Sequence, residues 1–546
     1  MRFGYAVLAG VITMASVPAP AVAVPHASAA PHTTVTRDGA RLDVERAHTV
    51  GVAAPKLAAA ATTSTMDLDR DGKDEIVAGG FIDNGYGVIV TYSGLPQRDL
   101  IESPIFSPTR PNFGDAMTSG DFNGDGYGDL AVGNPGEFAP TGADRAFGGA
   151  VWIFYGGASG LNLDQPQHIN QNVAGVPGDM ESYDMFGHAV AAGDLNGDGR
   201  DDLAIGAYGD KVNGQPNAGS VTVLYGAAGG LATTGTQFLT QETAGIPGTA
   251  VTDDSFGYGL AVGDMTRDGY ADLAISAPSD TNATNESGLI MLLRGSATGV
   301  VTTGITSFNG ASRGLSAIGE GMAIADIDGD GDGDLVAAAP RSWIGYLIYV
   351  PGVAAGLDVA RVRTISMETP GVPGDPNVHL PDETPHAYFG NALSTGDVTG
   401  DGRADVLTGA ITYDANGVRD SGAVFLIPGQ AGGLTGAGTL MLTQRAARAP
   451  VRRAQPGCQR PGQYEYFGEA NAILNLDGVG ALDMLTGTSG EAESGLIVKI
   501  GMKYASQRPV AGRPVPVRVA GALTVTSCQT GATLGAHSAG HTLLHH

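Results

Sequence analysis

The chain is poor in several residue types whose abundance would define its class. Of its 546 residues, 2 are cysteine, 2 are tryptophan and 16% are charged. The low cysteine count excludes a disulfide-dense scaffold, and the 42% of hydrophobic residues, set in compact runs, exclude a disordered chain. The sequence shows no long segment with helical periodicity. Beyond the N-terminus, no run approaches the roughly 20 apolar residues of a membrane-spanning helix.

Basic residues are also scarce. The 30 lysines and arginines are outnumbered by 56 aspartates and glutamates, which gives a formal net charge of −26. This balance disfavours nucleic acid or an anionic membrane as a general partner. Glycine is abundant, with 85 residues, and together with 30 prolines it indicates many tight turns between short elements.

The N-terminus has the pattern of a secretory signal peptide. An apolar run extends from Tyr5 to Val17, and small-residue cleavage patterns follow at Ala21-Val22-Ala23 and Ala27-Ser28-Ala29. An uncleaved anchor is the alternative reading, but Pro18 and Pro20 interrupt the run. We therefore predict that residues 1–30 are removed and that the mature protein is secreted and extracellular.

An aspartate-rich cassette recurs along the chain. Its clearest copies run from Asp121 to Leu130 (DFNGDGYGDL) and from Asp194 to Leu203 (DLNGDGRDDL). In chain order, cassettes 1 to 7 begin at Asp67, Asp121, Asp194, Asp264, Asp326, Asp397 and Asn475, and the last copy is decayed. Recurrence on this scale means that one supersecondary unit is used repeatedly.

Each cassette sits in a common frame of short apolar segments. A Phe-Gly pair and a small-apolar run precede the cassette, as in Phe186-Gly187 before Ala189–Ala192. An apolar stretch, a β-branched and aromatic run, a Gly-Leu turn and a fourth apolar run follow it. Such runs bounded by glycine, proline and asparagine are typical of strands. Four strands per unit predict an all-β fold, a seven-bladed β-propeller of four-stranded antiparallel blades. A β-solenoid is the alternative, but its repeats are shorter.

The set of motifs resembles the FG-GAP repeat family, which includes the N-terminal propellers of integrin alpha subunits. The resemblance covers about residues 60 to 502 and combines Phe-Gly pairs, the cassette and Gly-Ala-Pro-like tripeptides such as Ser276-Ala277-Pro278. Three units depart from the pattern. Unit 1 lacks the Phe-Gly pair, unit 5 has Ile318-Gly319 in its place, and unit 7 has the decayed cassette.

We divide the chain accordingly into four parts: a signal peptide (1–30), an N-terminal segment (31–60), the propeller (61–502) and a C-terminal segment with a flexible His-rich tail (503–546). Ring closure is expected to use a strand from Thr33 to Val44 or from Val515 to Thr526, and the sequence leaves both open. Cys458 and Cys528 are able to form one disulfide in an exported chain, but sequence alone does not place them together.

The cassettes have the chemistry of calcium loops. Carboxylate and amide oxygens at positions 1, 3, 5 and 9 suit a hard cation, and glycine at position 6 permits the sharp turn. An EF-hand is excluded because the loop leads directly into a strand, and six such loops outweigh the alternative of acidic turns alone. The predicted ligands of up to six structural Ca²⁺ ions are Asp67, Asp69, Asp71 and Glu75; Asp121, Asn123, Asp125 and Asp129; Asp194, Asn196, Asp198 and Asp202; Asp264, Thr266, Asp268 and Asp272; Asp326, Asp328, Asp330 and Asp334; and Asp397, Thr399, Asp401 and Asp405.

The cassettes differ in their expected affinity for the ion. Cassettes 4 and 6 place Thr266 and Thr399 at position 3 and should bind more weakly, and Val479 replaces the central acid of cassette 7. Because the sites are repeated and nearly identical, we interpret the ions as structural and not catalytic.

A partner is expected on the face opposite the cassettes, where the longer and more varied loops lie. Examples are the segments 174–184, 244–254 and 370–386. The resemblance to integrins implies the same face and an extracellular protein or glycan as ligand, so we predict a binding or adhesion module. Five arginines, Arg445, Arg448, Arg452, Arg453 and Arg460, form a candidate anion site, for which a solvated charged loop is the alternative.

An enzymatic function has less support from the sequence. It has no His-Glu-x-x-His, Gly-x-Ser-x-Gly or phosphate-loop motif, and His168, His188, His379 and His386 are isolated along the chain. FG-GAP propellers also occur attached to hydrolases, as in glycosylphosphatidylinositol-specific phospholipase D-like proteins. The alternative function is therefore an extracellular hydrolase or lyase with its site in the loops of the face opposite the cassettes.

Overall fold

The computed structural model describes residues of one unit of the chain, Val35–His546. The described ranges are 48–49, 66–81, 87–92, 99–102, 113–138, 148–280, 288–341, 344–377, 387–443, 466–476, 482–488, 496–503 and 518–526. Within them the regular structure is almost entirely antiparallel β-sheet.

The first four-stranded sheets follow one another along the chain. Sheet 1 contains β1 (His48–Thr49), β2 (Ile76–Phe81), β3 (Gly87–Tyr92) and β4 (Asp99–Glu102). Sheet 2 contains β5 (Met117–Gly120), β6 (Asp129–Asn134), β7 (Ala150–Phe154) and β8 (Gln167–Ile169). Sheet 3 contains β9 (Ala189–Gly193), β10 (Asp202–Ala207), β11 (Ser220–Tyr225) and β12 (Ala232–Leu239). Sheet 4 contains β13 (Leu260–Gly263), β14 (Asp272–Ala277), β15 (Leu289–Arg294) and β16 (Val301–Asn309).

The later sheets repeat the same order. Sheet 5 contains β17 (Met322–Ala325), β18 (Asp334–Ala339), β19 (Tyr346–Val350) and β22 (Arg363–Ile365), and a small ribbon of β20 (Gly352–Val353) and β21 (Gly356–Leu357) precedes its last strand. Sheet 6 contains β23 (Phe389–Gly396), β24 (Asp405–Ala410), β25 (Ala423–Ile427) and β26 (Leu440–Leu442). Sheet 7 contains β27 (Ala470–Leu474), β28 (Asp483–Thr488), β29 (Leu496–Lys503) and β30 (Arg518–Thr526). Short 3-10 helices span Gly310–Arg313, Val359–Arg361 and Ala415–Gly417.

The second strand of each central sheet is buried along its whole length. All six residues of β10 and of β14 are buried, because each strand lies between two neighbours in its own sheet and between two neighbouring sheets. Such a strand is a continuous apolar run and does not alternate. The fourth strands β12 and β16 are partly exposed, and the first strands of successive sheets adjoin one another. Each central sheet therefore has an inner first strand and an outer fourth strand.

The Phe-Gly pairs are explained by packing between sheets. In the described residues, five hydrophobic clusters each join two successive sheets, and each contains the aromatic or aliphatic residue that precedes the glycine. These fully buried residues are Phe186, Phe256, Ile318, Phe389 and Phe467. Burial of a side chain of this size stabilises a fold by about 2–3 kcal/mol. The Phe-Gly and Ile-Gly pairs therefore contribute to packing between successive sheets. Ile318 takes the same place in sheet 5 as phenylalanine takes in the other sheets.

The predicted count of seven blades is corrected to five. Sheets 2 to 6, from Met117 to Leu442, have all four strands described with side chains that pack against neighbouring sheets, and they form a five-bladed β-propeller. Sheets 1 and 7 are four-stranded in their backbone pairing, but side-chain burial is described for only part of them. A cassette specifies only the hairpin of the first two strands of a unit, so the number of cassettes does not give the number of blades. Cassettes 1 and 7 belong to the units that depart from the common pattern.

The other predictions on the fold have separate outcomes. Each cassette joins the first and second strands of its sheet, as predicted, so the cassettes share one end of the sheets. Of the two candidate closing strands, Arg518–Thr526 pairs with β29, and the segment from Thr33 to Val44 lies outside the described residues. The proposed signal peptide, Cys458, Cys528 and the His-rich tail also lie outside them. No helix among the described residues is long and apolar enough to cross a membrane.

Candidate functional site

The aspartate at position 1 folds each cassette around itself. In cassette 2, Oδ1 of Asp121 accepts hydrogen bonds from the backbone N–H of Gly124 at 2.8 Å and of Asp125 at 3.1 Å, and Oδ2 accepts one from Gly126 at 2.9 Å. Gly126 has φ +88°, a left-handed conformation that favours glycine, which explains the residue at position 6. Equivalent bonds end on Asp67, Asp194, Asp264, Asp326 and Asp397.

The acid at position 9 anchors the cassette to its own sheet. Oδ2 of Asp129 accepts the N–H of Phe122 at 2.9 Å, and Oδ1 accepts the N–H of Gly156, which follows the third strand, at 2.8 Å. Both bonds have counterparts at Asp202, Asp272 and Asp334. Asp405 accepts the N–H of Gly429 and that of Thr399 at position 3, and Glu75 accepts the N–H of Leu68. Sequence reasoning missed the second bond. The signal for it is the glycine that follows the third strand of each central sheet.

Burial makes these carboxylates unusually easy to protonate. Desolvation, reinforced by the neighbouring cassette carboxylates, raises the pKa of Asp129 to about 7, of Asp202 to about 8 and of Glu75 to about 8. The pKa values of Asp272, Asp334 and Asp405 are raised to about 7 for the same reason. A cation bound among these groups would offset the crowded negative charge.

Two cassettes bring three acids together. Carboxylate oxygens of Asp67, Asp69 and Asp71 all lie within 4.8 Å of one another, and so do those of Asp326, Asp328 and Asp334. These are the groups of three or more acidic, histidine or cysteine ligands found among the described residues. The other intact cassettes have asparagine or threonine at position 3, which leaves them fewer acids. Glu75 and Asp330 are predicted ligands that do not belong to these convergent groups.

Two buried side-chain oxygens in the cassettes have no hydrogen-bond partner. Asp67 is 3% exposed, yet its Oδ1 has no hydrogen-bond partner, and Oγ1 of Thr266, at position 3 of cassette 4, is also buried without one. Buried polar atoms are rarely left unpaired without a reason. Both atoms are hard oxygen donors at predicted ligand positions, so the donor set fits a calcium ion.

A second cluster lies at the opposite end of the sheets. The rings of His188, Tyr208 and Tyr258 have centroid separations of 4.6, 4.6 and 5.2 Å, and nearby Arg341 Nε lies 3.2 Å from Oε1 of the buried Glu320. Burial lowers the pKa of His188 to about 4 and raises that of Glu320 to about 7, although Arg341 opposes the second shift. His188, Tyr258 and Glu320 each follow the glycine of a Phe-Gly or Ile-Gly pair, so the cluster joins three successive sheets at their inner strands.

His168 is isolated along the chain but has partners in the fold. Its Nε2 lies 2.6 Å from Oε1 of Glu137, and its ring lies against that of Trp152, with centroids 4.2 Å apart. The other carboxylate oxygen of Glu137 accepts bonds from Trp152 Nε1 at 2.9 Å and from Asn134 Nδ2 at 3.0 Å. The pairing joins residues 31 positions apart, which no local motif reveals.

Other predicted features lie outside the described residues. They are the arginine-rich segment that contains Arg445, Arg448, Arg452, Arg453 and Arg460, the histidines His379 and His386, and the last part of the loop 370–386.

Comparison with known proteins decides the nature of the repeat. The family model described as FG-GAP repeat matches residues 113–154, 186–224, 256–290 and 389–427. These four segments are FG-GAP repeats. Each contains one of cassettes 2, 3, 4 and 6, whereas the three units that depart from the common pattern are outside the matched segments.

The relatives of the chain include integrin alpha chains. It is 33% identical to integrin alpha-3 of Mus musculus over 31% of its own length and 14% of that protein, and 32% identical to integrin alpha-7 of Rattus norvegicus over 40% of its length and 18% of that protein. It is also 32% identical to phosphatidylinositol-glycan-specific phospholipase D of Mus musculus, over 36% of its length and 23% of that protein. The chain thus spans less than a quarter of each of these relatives.

Among solved structures, one that resembles the chain is a rhamnogalacturonan lyase, with 12% identity and a TM-score of 0.32 over 73% of this chain and 69% of that one. A similarity at this level supports no conclusion about function.

Proposed function

We propose that the chain is an exported, calcium-stabilised FG-GAP propeller that acts as an extracellular binding or adhesion module. The proposal of bound calcium is supported by the convergence of acids in cassettes 1 and 5, together with the unpartnered Oδ1 of Asp67. The cassettes would hold Ca²⁺ through the oxygen-bearing side chains at positions 1, 3, 5 and 9. When bound, the ion supplies positive charge that offsets the carboxylates and fixes the loop.

The ligand would bind on the face opposite the cassettes. The segments 174–184 and 244–254 are held there by their own carboxylates, because Asp184 accepts the N–H of Glu181 and Asp254 accepts the N–H of Val251 at 2.7 Å. Exposed apolar side chains also lie in these loops. Tyr183 is 50% exposed and Val251 is 42% exposed, which suits contact with a protein or glycan surface.

A second candidate function is a hydrolase or lyase at the cluster of His188, Tyr258, Glu320 and Arg341. The observation in its favour is the pKa of Glu320, which burial raises to about 7, a value suited to a general acid or base. Its test is a screen of glycan and ester substrates with the wild-type protein and the Glu320→Gln variant. Turnover by the wild type that the variant loses would favour the enzyme, and absence of turnover would remove it.

The stabilising role of calcium is tested by thermal unfolding. We expect the melting temperature of the chelator-treated chain to lie at least several degrees below that of the calcium-loaded chain, because removal of the ion leaves crowded carboxylates. The double variant Asp326→Asn, Asp328→Asn should lose part of this difference. The matched control, Asp164→Asn, changes an exposed acid outside the cassettes and should keep all of it. Equal melting with chelator and with calcium would refute the proposal.

The binding role is tested by screening the calcium-loaded chain against glycan and matrix-protein arrays, with a chelator-treated sample in parallel. A ligand of the proposed face should bind less well to the Tyr183→Ala variant. The Asp164→Asn variant is the control. Binding that survives Tyr183→Ala but is lost on changing cassette surfaces would move the site to the other face.

A further inference from the structure

Successive cassettes are joined by one recurring backbone hydrogen bond. The N–H at position 8 of a cassette donates to the carbonyl of position 1 in the preceding cassette. The bonds run from Gly128 to Asp67 at 3.3 Å, Asp201 to Asp121 at 3.0 Å, Ala271 to Asp194 at 3.0 Å, Gly333 to Asp264 at 3.0 Å, Ala404 to Asp326 at 2.8 Å, and Leu482 to Asp397 at 3.3 Å; Asp74 donates to Asn475 at 2.9 Å. Position 8 is adjacent to the acid at position 9, and position 1 is itself a predicted ligand.

The junction between cassettes 2 and 3 has a second bond. Asp201, at position 8 of cassette 3, accepts the N–H of Asp121 through Oδ2 at 2.8 Å, so each residue both donates to and accepts from the other. The only comparable junction in the described residues joins Asp74 and Asn475, at the decayed cassette 7. At the remaining junctions position 8 is glycine, alanine or leucine, which have no side-chain acceptor.

The same two cassettes also touch through Arg200, at position 7 of cassette 3. The side chain of Arg200 packs against Gly124, at position 4 of cassette 2. The contact is close, because a methyl group added at Gly124 would lie 3.0 Å from Cγ of Arg200. Arg200 Nη1 lies 3.6 Å from Oδ2 of Asp198, a predicted ligand of cassette 3. Residues at positions 5, 7 and 8 of cassette 3 are thus connected to the loop of cassette 2.

We propose that Asp201 is a positioning residue that couples cation binding in cassettes 2 and 3. The inference rests on the proposed binding of calcium by the cassettes. An ion bound through Asp198 and Asp202 restricts the motion of Asp201, which lies next to Asp202. Asp201 in turn restricts the backbone of Asp121, because it bonds to both the N–H and the carbonyl of that residue. Cassette 2 then orders at a smaller entropic cost, so binding at one cassette favours binding at the other, and the coupling is reciprocal.

Terbium luminescence gives the test, because Tb³⁺ occupies calcium sites and is sensitised by nearby tyrosine. Tyr127 and Tyr270 stand at position 7 of cassettes 2 and 4, and their rings lie against position 4 of cassettes 1 and 3, at Arg70 and Gly197. Subtraction of the Tyr127→Phe signal therefore isolates cassettes 1 and 2, and subtraction of the Tyr270→Phe signal isolates cassettes 3 and 4. For the full chain, Asp201→Ala should weaken one component of the Tyr127 signal, that of cassette 2, about five-fold, as expected for loss of one hydrogen bond, and leave the component of cassette 1 unchanged. In the Tyr270 signal, the component of cassette 4 should likewise be unchanged. Asp201→Asn keeps an acceptor oxygen and should restore most of the affinity.

A double-mutant cycle separates coupling from a local effect. Asp198→Asn should weaken binding at cassette 2 in the wild-type background and have a much smaller effect in the Asp201→Ala background, whereas Asp328→Asn in cassette 5 should have none in either. Alanine already occupies position 8 in cassettes 4 and 6, so Asp201→Ala is compatible with folding, and melting in chelator checks this. Tb³⁺ binding that is unaffected by Asp201→Ala and by Asp198→Asn overturns the coupling alone. Absence of any Tb³⁺ or Ca²⁺ binding overturns the proposed function with it.

Discussion

The acids of a cassette have two different structural roles, although their regular spacing in the sequence does not distinguish them. Asp202, at position 9, is fully buried and accepts two backbone N–H groups, one from Leu195 and one from Gly226. Asp198, at position 5, is exposed and accepts bonds only from its own loop, such as the N–H of Arg200 at 2.9 Å. Position 9 therefore holds the cassette in place whether or not an ion is bound, in addition to being a proposed ligand, whereas position 5 acts only as a proposed ligand.

This difference predicts opposite responses to two amide substitutions. Asp202→Asn replaces an acceptor oxygen with an amino group facing a buried N–H, and should cost about 1–3 kcal/mol of unfolding free energy with or without calcium. Asp198→Asn should lower stability only when calcium is present. Chemical denaturation in calcium and in chelator measures both. An Asp202→Asn variant as stable as the wild type in chelator would contradict the assignment.

His188 predicts a loss of stability in acid. Its pKa in the folded chain is lowered to about 4 by burial, below the unfolded value of about 6.5, so the unfolded state binds more protons between these values. Stability is present above pH 6.5 and should fall by on the order of 1–2 kcal/mol as the pH drops to 5. His188→Phe keeps an aromatic ring beside Tyr208 and Tyr258 and should remove this part of the pH dependence. Urea denaturation at both pH values, in calcium, provides the comparison. Parallel pH profiles for the wild type and the variant would exclude His188 as the cause.

At the scale of the element, the strands of neighbouring sheets are tied together by a tyrosine and a glutamine. The hydroxyl of Tyr225, at the end of β11, contacts Gln237 and accepts the N–H of Val300 in the next sheet at 3.1 Å. Gln237 also donates from Nε2 to the carbonyl of Val300 at 2.9 Å. The pair Tyr155 and Gln167 holds Leu231 in the same way. Each pair attaches its sheet to the turn before the fourth strand of the following sheet.

These contacts of Tyr225 predict the effect of removing its hydroxyl. Tyr225→Phe leaves the ring packed but removes the hydroxyl that contacts Gln237 and accepts the N–H of Val300. Because that N–H also donates to Oε1 of Gln237 at 2.9 Å, the loss should cost about 1 kcal/mol. Tyr127→Phe, on a cassette loop, is the matched control and should change the unfolding free energy by less than about 0.5 kcal/mol. Urea denaturation monitors both. A Tyr225→Phe variant as stable as the wild type would show that the tie does not contribute.

The sequence predicted elements better than it predicted blades. Apolar runs such as Leu203–Gly206 fixed the second strands, because burial on both faces leaves a continuous hydrophobic signature. The outer strands are partly exposed and carry a weaker pattern, so the number of complete blades did not follow from the number of cassettes. Ligand positions could be read from local spacing. The bonds of Asp129 to Gly156 and of His168 to Glu137 could not, because they join residues 27 and 31 positions apart.

At the scale of the whole molecule, charge and repetition act together. The net charge is −26, and a large part of the acidic excess lies in loops that share one end of the sheets. Like charges at this density oppose folding unless cations offset them. The chelator-sensitive stability proposed above would therefore be strongest at low ionic strength, where screening by monovalent salt is weakest.

The cassette-to-cassette bonds predict protected amides in what would otherwise be exposed turns. The N–H groups of Asp201, Ala271 and Ala404 donate across sheets, so their hydrogen exchange should be slowed to nearly the level of the buried strand β10. Hydrogen-exchange mass spectrometry of the calcium-loaded chain, with peptides spanning each cassette, measures this directly. Exchange as fast as in unstructured peptides would show that the junctions open independently of the sheets.

The junction between cassettes is directional: from cassette 2 to cassette 7 it runs from position 8 of one repeat to position 1 of the repeat before it, and position 8 of cassette 1 donates to position 1 of cassette 7. A gene duplication that adds or removes one whole repeat therefore recreates the same donor and acceptor at the new boundary. An insertion of part of a repeat would instead leave one donor and one acceptor without their counterparts. A change in the number of whole repeats would thus preserve the donor and acceptor of each junction, whereas a change in the length of one cassette would not.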